Sequence, residues 1–313
     1  MLKNVIILGA VFCGFTSSVI AQQNNPIDEI VWLQSYTPPF HINKDPHAPQ
    51  GGICDNLTEQ LINSIDDVKH TRLIVPQERI NKHLSEGDNV CFPCVIHKKT
   101  ANALLQFSNP TTVYPPFSVL TTQQLAEEIQ KKHGKPIKLI HLLSDESFVY
   151  GQAAARKFTP KINKIIENTT VHHKASLSWS SENESQAVIA RLSRGFLDYT
   201  IDYPFMSDYF VNHSQFNNIV SLAIEEDTRE YVLGAVGCAA SAPNNFATKA
   251  LNKINKALST QVLQSPDYIN SQQFWLKNSF PAFDKYYKEQ ILNAISPAND
   301  ELIGTTIPRT VAQ

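Results

Sequence analysis

The sequence predicts an α/β fold arranged as two lobes, and three observations point there. Short apolar strands alternate with amphipathic helices along most of the chain, the pattern of mainly parallel sheets covered by helices. A helix–glycine–strand unit occurs at residues 79–96 and again at 186–201. The 313 residues are enough for two ordinary domains.

Residues 1–21 have the form of a secretory signal. Lys3 supplies the positive start, Val5 to Phe15 is apolar but too short to span a bilayer, and Val19 and Ala21 are the small residues expected before a cleavage site. The bulky Phe12 before Cys13 argues against lipoprotein processing. A soluble, periplasmic mature protein is expected.

Ile30 to Leu33 reads as a strand running into Ser35-Tyr-Thr-Pro-Pro-Phe40, whose prolines impose an extended or turn conformation. After Gly51-Gly52, the spacing of Ile53, Leu57, Leu61, Ile62 and Ile65 predicts a helix, with Asp55 as its N-cap and Glu59 in its first turn. Leu73 to Val75 reads as a second strand. In the repeated unit, Ile80 and Leu84 precede Ser85-Glu-Gly87, and Val188 and Leu192 precede Ser193-Arg-Gly195. Each glycine stands where a helix ends in a left-handed residue. Strands are expected to follow, through Cys91 in the first copy and over Phe196 to Ile201 in the second.

Pro115 to Thr122 reads as a connector, followed by a helix over 123–133 that ends at Gly134. A strand over Lys138 to Leu143, a polar turn at 144–147 and a helix around Gly151 to Phe158 come next. Ile219 to Ile224 and Glu230 to Gly237 are further strands, and Ala247, Leu251, Ile254, Leu258 and Val262 form a helical stripe. The tail from 297 to 313 lacks periodicity and is expected to be loose.

The 27 basic and 29 acidic residues include no dense cationic block, so neither nucleic acid nor an anionic membrane is indicated as a partner. No Gly-x-Ser-x-Gly elbow and no His-Glu-x-x-His motif occurs, and no cofactor is implied. Beyond the signal lie Cys54, Cys91, Cys94 and Cys238. An even count in an oxidising compartment favours disulfides, with three pairings open. Cys91-Phe-Pro-Cys94 has redox spacing, but it stands in a strand-like run interrupted by Pro93 rather than at a helix start. His97 with Cys54 is a poor second pair for zinc, and no metal is expected.

Five segments carry a family resemblance: Val31 to Phe40, Gly51 to Asp55, Leu84 to Gly87, Phe107-Ser-Asn-Pro110 and Leu192 to Asp198. In this order they resemble the type 2 periplasmic binding proteins, specifically the family 3 extracellular solute-binding proteins that serve ABC transporters. Trp32 to Phe40, Cys91, Asp202-Tyr-Pro204 and Cys238 further resemble a proteobacterial branch of that superfamily. The resemblance implies lobe one at 27–117 plus 226–296, lobe two at 118–225, two crossover segments, and a ligand held between lobes that close by a hinge. It also implies Cys91–Cys238 on neighbouring strands and Cys54–Cys94 at the cleft edge.

Amino-acid-binding members place an arginine six residues before the phenylalanine of the Phe-Ser turn. Here that position is Ala101, which makes no bidentate carboxylate clamp. Lys98 offers charge but not the fork. The resemblance implies a small polar solute, and Ala101 counts against an α-amino acid as that solute. Tyr36 and Phe40 are candidates to cover it, Asp202 and Tyr203 to meet an amine at a strand end, and Ser147 and Phe148 to offer donors to an anion. Trp32, Trp179 and Trp275 read as packing residues. The expected role is that of a monomer passing its solute to an ABC transporter or a sensor. The alternatives are a dehydratase or lyase on the same scaffold, using Asp202, and dithiol exchange at Cys91 and Cys94.

Overall fold

Two sheets organise the chain, and the second is inserted between strands of the first. The computed structural model describes residues 26–42, 48, 50–170, 176–179, 183–213, 216 and 218–295. The signal segment 1–21, the tail 297–313 and the side chain of Trp179 lie outside that description.

The chain first forms β1 (Glu29–Gln34), α1 (Ile53–Ser64), β2 (Lys69–Ile74), α2 (Gln77–Glu86), β3 (Val90–Ile96), β4 (Leu105–Phe107) and β5 (Thr112–Tyr114). It continues through β6 (Ser118–Thr122), α3 (Gln123–His133), α4 (Leu139–Leu143), β7 (Tyr150–Ala153), α5 (Pro160–Thr170), β8 (Ser176–Trp179), α6 (Glu184–Ser193), β9 (Tyr199–Asp202), α7 (Pro204–His213) and β10 (Ile219–Ala223). It then adds β11 (Val232–Ala239), α8 (Phe246–Ala257), α9 (Pro266–Leu276) and α10 (Phe283–Tyr287).

The first sheet runs β2-β1-β3-β11-β4, with β5 also paired to β11, and the second runs β10-β6-β9-β7-β8. Strand β11 lies antiparallel to β3, β4 and β5 and so returns the chain to the first sheet. The chain therefore passes between sheets twice, from β5 to β6 and from β10 to β11. No helix among the described residues is long and apolar enough to cross a membrane.

Local chemistry explains most boundaries. Helix α1 buries Ile53, Cys54, Leu57, Thr58 and Leu61, and each large aliphatic side chain taken from water contributes about 1.5–3 kcal/mol. Thr122 caps α3 by accepting the Leu125 N–H at 3.4 Å. Gly87 and Gly195 follow their helices at φ +77° and +73°, where a Cβ is disfavoured. Pro93 does not break β3. The register with β11 shifts between Ala235 and Gly237, so a bulge takes up the residue that cannot donate.

Four expectations are corrected. Residues 139–143 form a single helical turn rather than a strand, because the Leu139 and Ile140 N–H groups donate to the Glu226 carboxylate at 2.8 and 3.0 Å. Gly151 to Phe158 is not helical: β7 occupies 150–153, paired with β8 and β9, and the helix starts at Pro160. Gly52, not Asp55, is the N-cap of α1, while Asp55 sits in the first turn and accepts the Gly52 N–H at 3.2 Å; Glu59 lies beyond that turn and pairs with Arg72. The last stripe does not continue as one α-helix, since α8 ends at Ala257 and a π-helical turn carries Leu258–Val262.

Candidate functional site

The carboxyl ends of parallel strands are where open α/β sheets present ligand-binding loops, and in the second sheet the parallel strands are β7, β8 and β9. Asp202 is the last residue of β9, and Arg156 follows β7 by three positions. The Arg156 guanidinium donates to Asp202 Oδ1, and the Tyr203 N–H donates to the same oxygen at 2.7 Å. Burial raises the Asp202 carboxyl above its ordinary range, against the opposing pull of Arg156 and the Tyr203 N–H.

Aromatic rings surround this ion pair. The guanidinium carbon lies 5.2 Å from the Tyr203 ring centre, 5.4 Å from Phe117 and 6.0 Å from Phe158, within cation–π range. Arg156 Nε is buried and has no hydrogen-bond partner among the described residues. One charged donor thus remains uncommitted in a desolvated setting, where an acceptor would be bound strongly.

Phe40 and Tyr114 face the cluster from the first sheet. Phe40 lies 5.9 Å from Tyr203 and 5.3 Å from Phe205, and Tyr114 lies 5.6 and 5.8 Å from the same two rings. Tyr203 stacks on Phe117 at 4.2 Å. The proline turn explains the position of Phe40: its N–H donates to Thr37 O and its carbonyl accepts the Cys54 N–H, each at 2.8 Å. Further along the same face, Tyr209 of α7 meets Trp275 of α9 at 5.5 Å, and Asn278 donates to Asp208 at 3.0 Å. The two sheets and their helices are therefore closed against each other.

Of the residues expected from sequence, Phe40, Asp202 and Tyr203 converge here. Tyr36 is half-buried in the segment between β1 and the proline turn, and Lys98 is exposed beyond β3. Ser147 and Phe148 lie elsewhere, because they precede β7 and so stand at its amino end. Ser147 is exposed and bonds to Asp145 and Lys132 at 2.6 and 2.8 Å, while Phe148 is buried against His133 at 5.8 Å. Their assignment followed from taking 138–143 as the strand. With β7 in its place, the position at the carboxyl end is held by Arg156.

Arg156, Tyr114, Phe117 and Phe205 were missed. The available signal was Tyr114-Pro-Pro-Phe117, which repeats the aromatic–proline–proline–phenylalanine character of Tyr36 to Phe40. The implied cysteine pairs stand at disulfide distance, with Cα separations of 4.0 Å for Cys91 and Cys238 and 6.1 Å for Cys54 and Cys94. Cys91 and Cys94 are thus each joined to another partner, not to one another. Trp32 is fully buried and donates to His70 at 3.0 Å, and Trp275 donates to Gly51 O at 2.9 Å.

No family model matches the chain, and no curated protein matches it. Solved structures do. One is a histidine kinase sensor domain with similarity to periplasmic binding proteins, at TM-score 0.59 and 12% identity, covering 81% of this chain and 98% of that one. Another comes from work on glutathione import and the cystine ABC importer of Streptococcus mutans, at TM-score 0.59 and 14% identity, covering 82% and 97%. A third is an ABC uptake transporter substrate-binding protein from Streptococcus pneumoniae with bound histidine, at TM-score 0.56 and 14% identity, covering 81% and 93%. What is shared at these identities is the architecture: the chain has the two-lobed fold of the type 2 periplasmic binding proteins.

Proposed function

We propose that this protein captures a small polar solute carrying an anionic or strongly accepting group. It holds the solute between its lobes and, as a monomer outside the cytoplasmic membrane, delivers it to an ABC transporter or reports it to a sensor. The observation that carries the reading is the uncommitted, buried Nε of Arg156, set among the rings of Phe117, Phe158 and Tyr203. The first lobe has Ala101 where amino-acid binders of this fold family resemble one another in having arginine, and Arg156 supplies that charge from the opposite side. Strand membership supports lobes at 27–117 plus 226–296 and at 118–225. The quoted segments favour family 3 and its proteobacterial branch. The structural neighbours named above are a sensor domain, a structure from work on glutathione import and a transporter substrate-binding protein, which favours binding over turnover.

Thermal-shift and calorimetric titration test the proposal, using histidine, arginine, cystine, glutathione, dicarboxylates and simple amines as probes. A micromolar ligand at millimolar concentration stabilises a protein by about 4 kcal/mol. Carboxylate-bearing probes are expected to give that response, and Arg156→Gln is expected to lose it. A response confined to amines, or an undiminished response in a folded Arg156→Gln variant, would refute the proposal.

A further inference from the structure

A second cluster, at the entrance to α1, lies outside the solute site. A ring nitrogen of His41 and the sulfurs of Cys54 and Cys94 all lie within 4.8 Å of one another. His41 is fully buried. Its Nδ1 is engaged by Asp55 Oδ1 at 2.8 Å, while its Nε2 is buried without a partner among the described residues. Asp55 is itself fixed, accepting the Ile42 N–H at 2.7 Å and the Gly52 N–H at 3.2 Å. A carboxylate that fixes one imidazole nitrogen and leaves the other free is the arrangement that orients a metal-bound histidine.

We infer that reduction of Cys54–Cys94 opens a site for a single Cu(I) ion, bound by His41 Nε2, Cys54 Sγ and Cys94 Sγ. Two equivalents of a small thiol break the S–S bond. Each protein sulfur takes up one electron and one proton, and the external thiols leave as their disulfide. Cu(I) then displaces both thiol protons to solvent and forms two thiolate bonds and one imidazole bond. The donor set selects the ion. Two soft sulfurs with one imidazole suit Cu(I), whereas zinc takes four ligands and the neighbouring carboxylate of Asp55 is already committed.

Access favours this pair of cysteines over the other. Cys94 is half-buried, while Cys91 and Cys238 are completely enclosed, and exposure governs which disulfide an external thiol reaches. The site also adjoins the solute-binding rings, since His41 follows Phe40 and Cys94 Sγ lies 4.0 Å from the Tyr114 hydroxyl.

The test uses the whole protein, reduced under nitrogen with a water-soluble phosphine, which is converted to its oxide, and then titrated with Cu(I) against a chromophoric chelator. One Cu(I) per chain is expected after reduction and none before. In copper-loaded protein Cys54 and Cys94 are expected to resist alkylation, as read by peptide mass spectrometry. Cys94→Ser and His41→Gln are each expected to weaken binding by at least roughly tenfold. The half-buried Cys94 position keeps the test decisive should His41→Gln fail to fold. Equal copper binding by the oxidised protein or by Cys94→Ser would overturn the inference, as would protection at Cys91 and Cys238 instead, or tighter binding of Zn(II).

Discussion

The backbone N–H of Phe117 donates to the Asp227 carboxylate at 3.2 Å, joining the two segments by which the chain passes between its sheets. Arg229 closes on the same carboxylate, with bonds of 2.6 and 2.5 Å. Phe117 also stacks on Tyr203. The connection between the crossovers and the wall of the proposed solute site therefore share one residue, Phe117.

Replacing Asp227 by alanine should loosen that connection. A hydrogen bond to a charged group contributes about 1.5–3 kcal/mol, and a loss of that size is expected in urea denaturation. Asp227→Asn, which can still accept from Phe117, should recover part of it. An unchanged midpoint in Asp227→Ala would show that the crossovers are held by packing alone.

Arg156 and Asp202 give a pH signature. The folded-state pKa of Asp202 lies above its ordinary 3.8, so the folded protein holds that proton more tightly than the unfolded chain. Its contribution to stability is complete below pH 3.8 and is lost as pH rises through the raised value. Arg156→Met strands the carboxylate and should cost about 3–5 kcal/mol at neutral pH. Acidification through the Asp202 titration, or a second change Asp202→Asn, should restore much of it. Urea midpoints across pH 4–8 measure this, and a pH-independent deficit would contradict it.

The two helix-ending glycines should differ in their tolerance of alanine. At Gly195 an added Cβ meets nothing within 4 Å, so Gly195→Ala costs only the left-handed conformation, about 1–2 kcal/mol. At Gly87 the same atom would come within 2.8 Å of Ser241 Oγ and 3.0 Å of its carbonyl oxygen. Gly87→Ala should therefore be clearly the more damaging in thermal denaturation, and equal losses would refute the argument.

Elements fixed by local periodicity and capping were readable in the sequence. The repeats ending at Gly87 and Gly195, the amphipathic face of α1 and the strand through Cys91 all follow from nearby residues. Where distant partners decide, the reading failed. Leu139 to Leu143 is a short apolar run with the character of a strand, and it becomes helical because Glu226, far along the chain, caps it. Tyr-Gly-Gln-Ala at 150–153 has weak strand character and is held extended by its neighbours in the sheet. That exchange moved the expected strand end from Ala153 to Leu143, so the sequence reading turned to Ser147 and Phe148, which precede β7, and not to Arg156, which follows it. Asp202, Tyr203 and Phe40 were legible as neighbours of strands: the strand expected over 196–201 forms as β9 at Tyr199–Asp202, and the one expected over 30–33 forms as β1 at Glu29–Gln34.

The bridge between Cys91 and Cys238 spans 147 positions, and β6 through β10 all fall inside that span. One of the two sheets is thus contained in a closed covalent ring. A single protease nick anywhere within the ring leaves one molecule, whose fragments part only when a reductant opens it.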